Sequence, residues 1–281
     1  MSERKDILKG YLSVLFTALL WSTGGIFIKL IPWAALSINA GRCAVAFLFK
    51  IATRRSLKIK FTAGSILGGL AVASTMTLFV FANKLTTAAN AITLQYSFPM
   101  FLILFFWIFG KKKPRWADIS TSTVILLGVF FCCFDKSGKG AVTGNLLAVA
   151  SGISFAAYFY FTSLSDSSPD DANCIGFLLG LFAGLPSLMT ETDFSLKPVL
   201  FTTLLGALQV GLAYVLFEYG IKRVPAISAS FISAIEPVMS PVWVAVFYGE
   251  KIGPYAVLGS VLVIASMVFY NIANLRRPKT E

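Results

Sequence analysis

The chain has 281 residues, of which 57% are hydrophobic and 13% are charged, whereas soluble domains are about 45–50% apolar and about 25% charged. This composition argues against a water-soluble fold. The net charge of +11 does not indicate nucleic-acid binding, because the basic residues lie in short clusters between apolar runs, as in membrane proteins.

Ten apolar stretches follow one another along the chain, each close to the roughly 20 residues that a membrane-spanning helix needs. The first runs too far to be the core of a signal peptide, so we interpret it as a span. Backbone polar groups find no partners in lipid, which predicts an all-α integral membrane protein. The predicted spans are residues 11–31, 33–51, 63–83, 87–109, 116–134, 144–164, 171–190, 198–220, 225–247 and 254–274.

The distribution of the 24 Lys and Arg residues predicts the orientation. When the N-terminus is placed in the cytoplasm, most of them fall in the connections on the cytoplasmic side, where such residues accumulate. We therefore predict a multi-pass protein of the cytoplasmic (inner) membrane with both termini in the cytoplasm.

The second half of the sequence resembles the first. "KLTTAANAITLQYSFPMFLILFFWIFGKK" is similar to "KRVPAISASFISAIEPVMSPVWVAVFYGEK", which sets Pro99 against Pro237, and Asn39 corresponds to Asn173. Five spans are an odd number, so the two copies enter the membrane from opposite sides, as in many secondary transporters. We predict two inverted five-helix repeats, residues 1–140 and 141–281.

Four segments, "WSTGGIFIKL", "NAGRCAVAFLF", "LQYSFPMFLILFFWIFG" and "IEPVMSPVWVAVFYGE", resemble the EamA-type transporters of the drug/metabolite transporter superfamily. The resemblance covers essentially the whole chain and implies a solute carrier, often an exporter of amino acids or other small metabolites. The chain departs from the family pattern in "GKKKP" at 110–114, where Gly-Glu is common, and at Glu218, where a neutral polar residue is usual.

Two ionisable residues lie at the centres of predicted spans, Arg42 in the second and Glu236 in the ninth. A charge at this depth costs on the order of 2.5–3.5 kcal/mol on insertion scales. The two residues either form a structural ion pair or face a cavity and bind substrate or a proton. Glu218, near the end of the eighth span, either faces the same cavity or pairs with Lys222, four residues on.

Polar and deep aromatic residues predict a cavity between the repeats, although small and hydroxyl residues also serve helix packing. Proline removes a backbone donor, so Pro99 and Pro237 are predicted hinges that free carbonyl groups near residues 95 and 233. The predicted substrate-binding residues are Trp21, Asn39, Arg42, Gln95, Tyr96, Tyr158, Tyr214, Glu218, Ser233 and Glu236.

These features favour a secondary, non-ATP transporter that exports a small metabolite, such as an amino acid, by alternating access. Its expected partners are this small-molecule substrate, membrane lipid and protons as coupling ion, with no nucleic acid, cofactor or metal; a monomer or a weak dimer is expected. The alternatives are a passive channel or facilitator and a membrane-embedded enzyme. The sequence contains no histidine, and it shows neither a metal-ligand cluster nor a phosphate-binding glycine loop. These features argue against the enzyme.

Overall fold

The computed structural model describes residues 2–54, 58–134, 141–221, 223–224, 232–233 and 235–275. Every regular element in these ranges is helical. The helices are α1 (Ser2–Ser22), α2 (Gly24–Leu30), α3 (Ala35–Thr53), α4 (Ala63–Leu85), α5 (Ala88–Gln95), α6 (Phe98–Ile108), α7 (Trp116–Phe134), α8 (Ala141–Thr162), α9 (Pro169–Met189), α10 (Leu196–Leu204), a π-helical segment (Leu205–Leu212), α11 (Ala213–Ile221), α12 (Ile235–Tyr248) and α13 (Pro254–Leu275).

Seven helical stretches are long and apolar enough to cross a membrane, and three further apolar helices in the described residues are shorter. They overlap the ten predicted spans, although residues 225–231 of the ninth lie outside the described residues. The all-helical architecture of a multi-pass membrane protein is confirmed. The number of ten spans and the side of each terminus stay predictions.

Helices of the two halves interleave in the bundle. Helix α4 packs along α8 and α9, α3 packs along α9, α1 packs along α11, and α7 packs along α13. The bundle is therefore held together by contacts between helices from both halves of the chain.

Glycine residues allow the closest of these approaches, which is the usual way that helices pack in lipid. A Cβ on Gly176 of α9 would lie 2.8 Å from the carbonyl oxygen of Gly69 on α4 and would also collide with Val72. A Cβ on Gly69 would lie 2.6 Å from Cγ2 of Ile175. The α4–α9 contact therefore has no room for larger side chains at these two positions.

Three predicted spans are interrupted. The first breaks at Thr23, and the fourth breaks at Tyr96 and Ser97, just before the N-terminal turn of α6 that contains Pro99. The eighth contains the π-helical segment, a form that is common at functional sites. Because proline removes the hydrogen bond to the carbonyl four residues earlier, Pro99 and Pro237 affect the carbonyl groups of residues 95 and 233.

Candidate functional site

A small cavity of about 60 Å³ lies between the two halves, and side chains from α1, α3, α4, α5, α8, the π-helical segment, α11 and α12 contribute to its wall. We call it the central cavity. It is lined by Trp21, Arg42, Thr75, Met76, Phe79, Gln95, Tyr96, Phe155, Gln209, Val210, Tyr214 and Glu236.

The positive charge of the central cavity belongs to Arg42, whose side chain is buried on α3. Its Nε donates to Oδ1 of Asn39 at 3.2 Å, and one terminal nitrogen donates to the carbonyl oxygen of Met76 at 2.6 Å. Asn39 is held in turn by a 3.0 Å hydrogen bond to Oγ1 of Thr77. These contacts fix the guanidinium at the wall, and because they use neutral partners, none of them neutralises its charge.

The acidic group of the central cavity is Glu236, which lies in the first turn of α12 and is buried. Its Oε2 accepts a 2.7 Å hydrogen bond from the hydroxyl of Tyr96. The same hydroxyl lies 3.1 Å from the carbonyl oxygen of Ser233, the residue four positions before Pro237. The break between α5 and α6 thus brings Tyr96 of the first half against the start of α12 in the second half.

Two glutamines add polar groups to the wall. Gln95 donates through Nε2 to Oγ of Ser151 at 2.7 Å, and that hydroxyl donates to the carbonyl oxygen of Thr75 at 3.0 Å. Gln209, in the π-helical segment, is 8% exposed, and its Oε1 is buried without a hydrogen-bond partner among the described residues. Buried polar atoms nearly always have a partner, so Gln209 presents an acceptor that is available to a molecule in the cavity.

Aromatic rings form the apolar part of the wall. Trp21 meets Tyr214 edge to face with ring centroids 5.5 Å apart, and Phe177 supports Tyr214 from behind at 5.9 Å. Phe155 lines the cavity from α8 and stacks on Tyr158 at 6.2 Å. Such rings provide an apolar surface beside the two charged groups.

A second cavity of about 200 Å³ adjoins the first, because Tyr214 lines both. We call it the vestibule. Tyr158 and Glu218 lie in its wall, together with Ser163 and Pro169 at the connection between α8 and α9. Tyr214 therefore borders both the central cavity and the vestibule.

At one end of the bundle, basic residues of α3 meet acidic residues of the second half in a group that we call the Lys50 cluster. Nζ of Lys50 lies 2.8 Å from Oε1 of Glu218 and 2.6 Å from Oδ1 of Asp170, and its side chain is 2% exposed. Nε of Arg54 lies 3.1 Å from Oδ2 of Asp170, and a terminal nitrogen lies 2.7 Å from Oδ1 of Asp171.

Arg54 lies just beyond the end of α3. Burial by itself lowers the pKa of Arg54, but its hydrogen bonds to Asp171 and Cys174 outweigh burial and raise the pKa above the ordinary value. Lys50, Arg54 and their carboxylates therefore form a charged seal between the first and second halves.

The opposite end is joined by a smaller group, the Lys29 cluster. Nζ of Lys29 on α2 lies 3.0 Å from Oε1 of Glu250 and donates to the carbonyl oxygen of Thr86 at 2.8 Å. Oε2 of Glu250 accepts a 3.0 Å hydrogen bond from the backbone of Ala88. Glu250 of the second half thus ties down two elements of the first half.

The structure brings six of the predicted residues to the central cavity: Trp21, Arg42, Gln95, Tyr96, Tyr214 and Glu236. Asn39 and Ser233 contact Arg42 and Tyr96, while Tyr158 and Glu218 line the vestibule. Within the described part of the chain, Arg42 and Glu236 form no ion pair within 4 Å. Glu218 pairs with Lys50 and accepts from Asn173 at 3.2 Å, while its alternative partner Lys222 lies outside the described residues.

The sequence interpretation missed several lining residues, of which Gln209 is the most informative. In "LLGALQVGL" it is the single amide in an apolar run, and that isolation was a usable signal. Thr75, Met76, Phe79, Phe155 and Val210 carry no comparable signal, because such residues are ordinary in membrane helices.

Comparison with known proteins agrees with this architecture. A family model described as the EamA-like transporter family matches residues 8–134 and again residues 142–272. The uncharacterized transporter YwfM of Bacillus subtilis is 29% identical over 285 residues, and the alignment covers 96% of each chain. The uncharacterized inner membrane transporter YicL of Salmonella typhimurium is 23% identical, with 96% of this chain and 98% of YicL covered. A solved crystal structure with 18% identity shares the fold at a TM-score of 0.65, covering 98% of this chain and 100% of the other.

Proposed function

Because the chain belongs to the EamA-like transporter family, we propose that it is a secondary transporter that exports a small zwitterion, such as an amino acid, across the cytoplasmic membrane. The solute occupies the central cavity between two inverted repeats, residues 1–140 and 141–281. Rearrangement of the helices then opens this cavity to one side of the membrane at a time.

The observation that carries this proposal is that one basic and one acidic side chain line the same cavity. Arg42 and Glu236 both line the central cavity, they come from different halves, and each is held by neutral hydrogen-bond partners. Buried charges are costly unless something neutralises them. A zwitterion supplies both missing partners, with its carboxylate at Arg42 and its ammonium group at Glu236.

The aromatic wall fits the remainder of such a solute. Trp21, Tyr214 and Phe155 offer an apolar surface next to the charged groups, which favours an amino acid with an apolar or aromatic side chain. The orphan acceptor of Gln209 supplies a further position for a solute N–H or O–H group.

The volume of the cavity supports a mechanism with helix movement. Small-molecule sites usually measure about 300–1,000 Å³, so a cavity of about 60 Å³ is too small for such a solute and must widen to admit one. The Lys50 cluster closes one end and the Lys29 cluster closes the other. With both termini in the cytoplasm, the Lys50 cluster is the inner gate and the Lys29 cluster is the outer gate.

Glu236 is also our candidate for proton coupling, since it is the acidic side chain among the described residues that line the central cavity. Substrate and proton would then compete for the same carboxylate. Export follows when the proton enters from outside and displaces the solute only in the outward-open state.

The test is counterflow of labelled amino acids in proteoliposomes, with and without a pH gradient. We expect the transport of one or more apolar or aromatic amino acids, and a loss of at least tenfold in R42Q and in E236Q. The matched controls are R223Q and D6N, which make the same charge changes at exposed positions. Wild-type counterflow in R42Q and E236Q would refute the zwitterion site, and a failure of all amino acids with transport of another solute would refute the substrate class.

A further inference from the structure

The turns that end the fourth and ninth spans are related by the repeat but differ in charge. In the second half, Gly249 with a φ of +72° precedes Glu250, which joins the Lys29 cluster. In the first half, the matching turn is "GKKKP" at 110–114, with Lys111 at a φ of +53°. An acidic residue that closes the outer gate is thus replaced by three consecutive lysines at the opposite end of the bundle.

An apolar groove leads to these lysines along the outside of the bundle. None of the residues of α6 is buried, and between α6 and α7 lies a groove of about 340 Å³. Its apolar wall includes Met100, Phe101, Leu104, Trp107, Ile119 and Leu126. Trp107 is 50% exposed and Phe109 is 63% exposed, so this side of the bundle presents apolar side chains to its surroundings.

The groove opens into a second recess of about 320 Å³ whose wall includes Lys112, Lys113 and Arg115. The two spaces share Ile103, Pro114 and Asp118 and therefore adjoin, and we call them together the α6–α7 channel. One end of this channel is apolar and the other is basic.

The basic end keeps an excess of positive charge. The guanidinium of Arg115 is bonded to Asp118, at 3.2 Å and 3.0 Å, and the hydroxyl of Tyr270 also donates to Asp118 at 2.7 Å. Asp118, the one carboxylate among the described residues of the wall, is thus matched by Arg115. Nζ of Lys112 lies 5.3 Å from the ring centroid of Phe106, and with Lys113 it provides charge beyond that needed by Asp118.

We propose that this channel binds one anionic phospholipid, with the phosphate at Lys112 and Lys113 and an acyl chain in the groove between α6 and α7. The distribution of Lys and Arg predicts that this end of the bundle lies at the cytoplasmic surface, where anionic headgroups attract basic clusters. In a phospholipid the phosphate lies next to the start of the acyl chains. In the protein, the lysines likewise lie next to the start of the apolar groove. A soluble phosphate would use only the recess, and a neutral lipid would use only the groove.

The test is native mass spectrometry of the full chain in non-ionic detergent with phosphatidylglycerol or phosphatidylcholine of the same acyl chains. Phosphatidylglycerol should remain bound at lower concentrations than phosphatidylcholine. A juxtamembrane lysine changes binding to anionic lipid about fivefold, so the double variant K112Q/K113Q should weaken phosphatidylglycerol binding by more than tenfold. The control K9Q/K60Q removes two exposed lysines from the same end of the bundle and should leave this binding unchanged.

Two further arms separate the sources of the phosphate and the role of the groove. Water-soluble glycerol phosphate should fail to displace the lipid. S122W, which fills the groove, should weaken phosphatidylglycerol binding although both lysines are kept. The proposal is overturned by equal binding of the two lipids, by equal losses in K112Q/K113Q and K9Q/K60Q, or by displacement with glycerol phosphate. A lipid-free dimer that dissociates in K112Q/K113Q would instead assign the channel to a second copy of the chain.

Discussion

Replacing Glu218 by glutamine is expected to loosen the Lys50 cluster, which we propose to be the inner gate. Lys50 is 2% exposed and lies within 3 Å of both Glu218 and Asp170. Removing one partner of a buried ion pair costs about 3–5 kcal/mol. Because Asp170 remains in contact with Lys50, we expect a smaller cost of about 2 kcal/mol, which corresponds to an increase of about 30-fold in the open fraction of this gate.

Cys174 offers a native reporter of this opening. It is buried on α9, and its Sγ lies 2.9 Å from a terminal nitrogen of Arg54, a contact that E218Q leaves in place. The assay is alkylation by a membrane-permeant maleimide in proteoliposomes, followed site by site with peptide mass spectrometry. A buried thiol reacts in proportion to the open population when opening is fast, so Cys174 should react about 30-fold faster in E218Q.

Two controls separate gate opening from unfolding. Cys43 is fully buried on α3 and should keep its wild-type alkylation rate in E218Q. E250Q makes the same charge change in the Lys29 cluster and should not accelerate Cys174. The reasoning is refuted if Cys174 in E218Q reacts within twofold of its wild-type rate, or if Cys43 accelerates in parallel with it.

Two further predictions concern stability. Q209L should raise the thermal unfolding temperature in detergent while lowering counterflow. The reason is that it removes a buried acceptor that has no partner among the described residues, and burying such an acceptor costs about 1–3 kcal/mol. A lower unfolding temperature would show that the amide has a structural role. G176A should destabilise the protein by about 1–3 kcal/mol and so lower its unfolding temperature, since the new Cβ would collide with Val72 and approach Gly69. Unfolding at the wild-type temperature would show that α4 and α9 separate without cost.

The sequence was sufficient to predict the helices of the bundle, because the hydropathy of a helix reflects whether lipid or water surrounds it. It does not depend on which other helices it contacts. Arg42 and Glu236 could be singled out for the same reason, since a charge at the centre of an apolar run is costly wherever it points. The positions of these two residues along their spans carried enough information to suggest a shared cavity, but not whether they pair.

The two charged clusters that we propose as gates could not be derived in this way. Lys50 looks like an ordinary basic residue at the end of a span, and its burial depends on Asp170 and Glu218, which are more than 100 residues away in the sequence. The place of Gln209 depends similarly on a π-helical segment, whose hydrogen-bond pattern is set by packing more than by local propensity. Long-range pairing and local backbone distortion are the two kinds of information that a hydropathy pattern lacks.

The π-helical segment at Leu205–Leu212 also determines in which direction around the helix axis the side chains of α11 point. Each residue of an α-helix advances by roughly 100°, so deleting one residue upstream of α11 would turn Tyr214 and Glu218 away from the cavities by about that angle. The direction of both side chains therefore depends on how many residues this segment contains. A one-residue deletion in the segment should disturb the two side chains more than many conservative substitutions would.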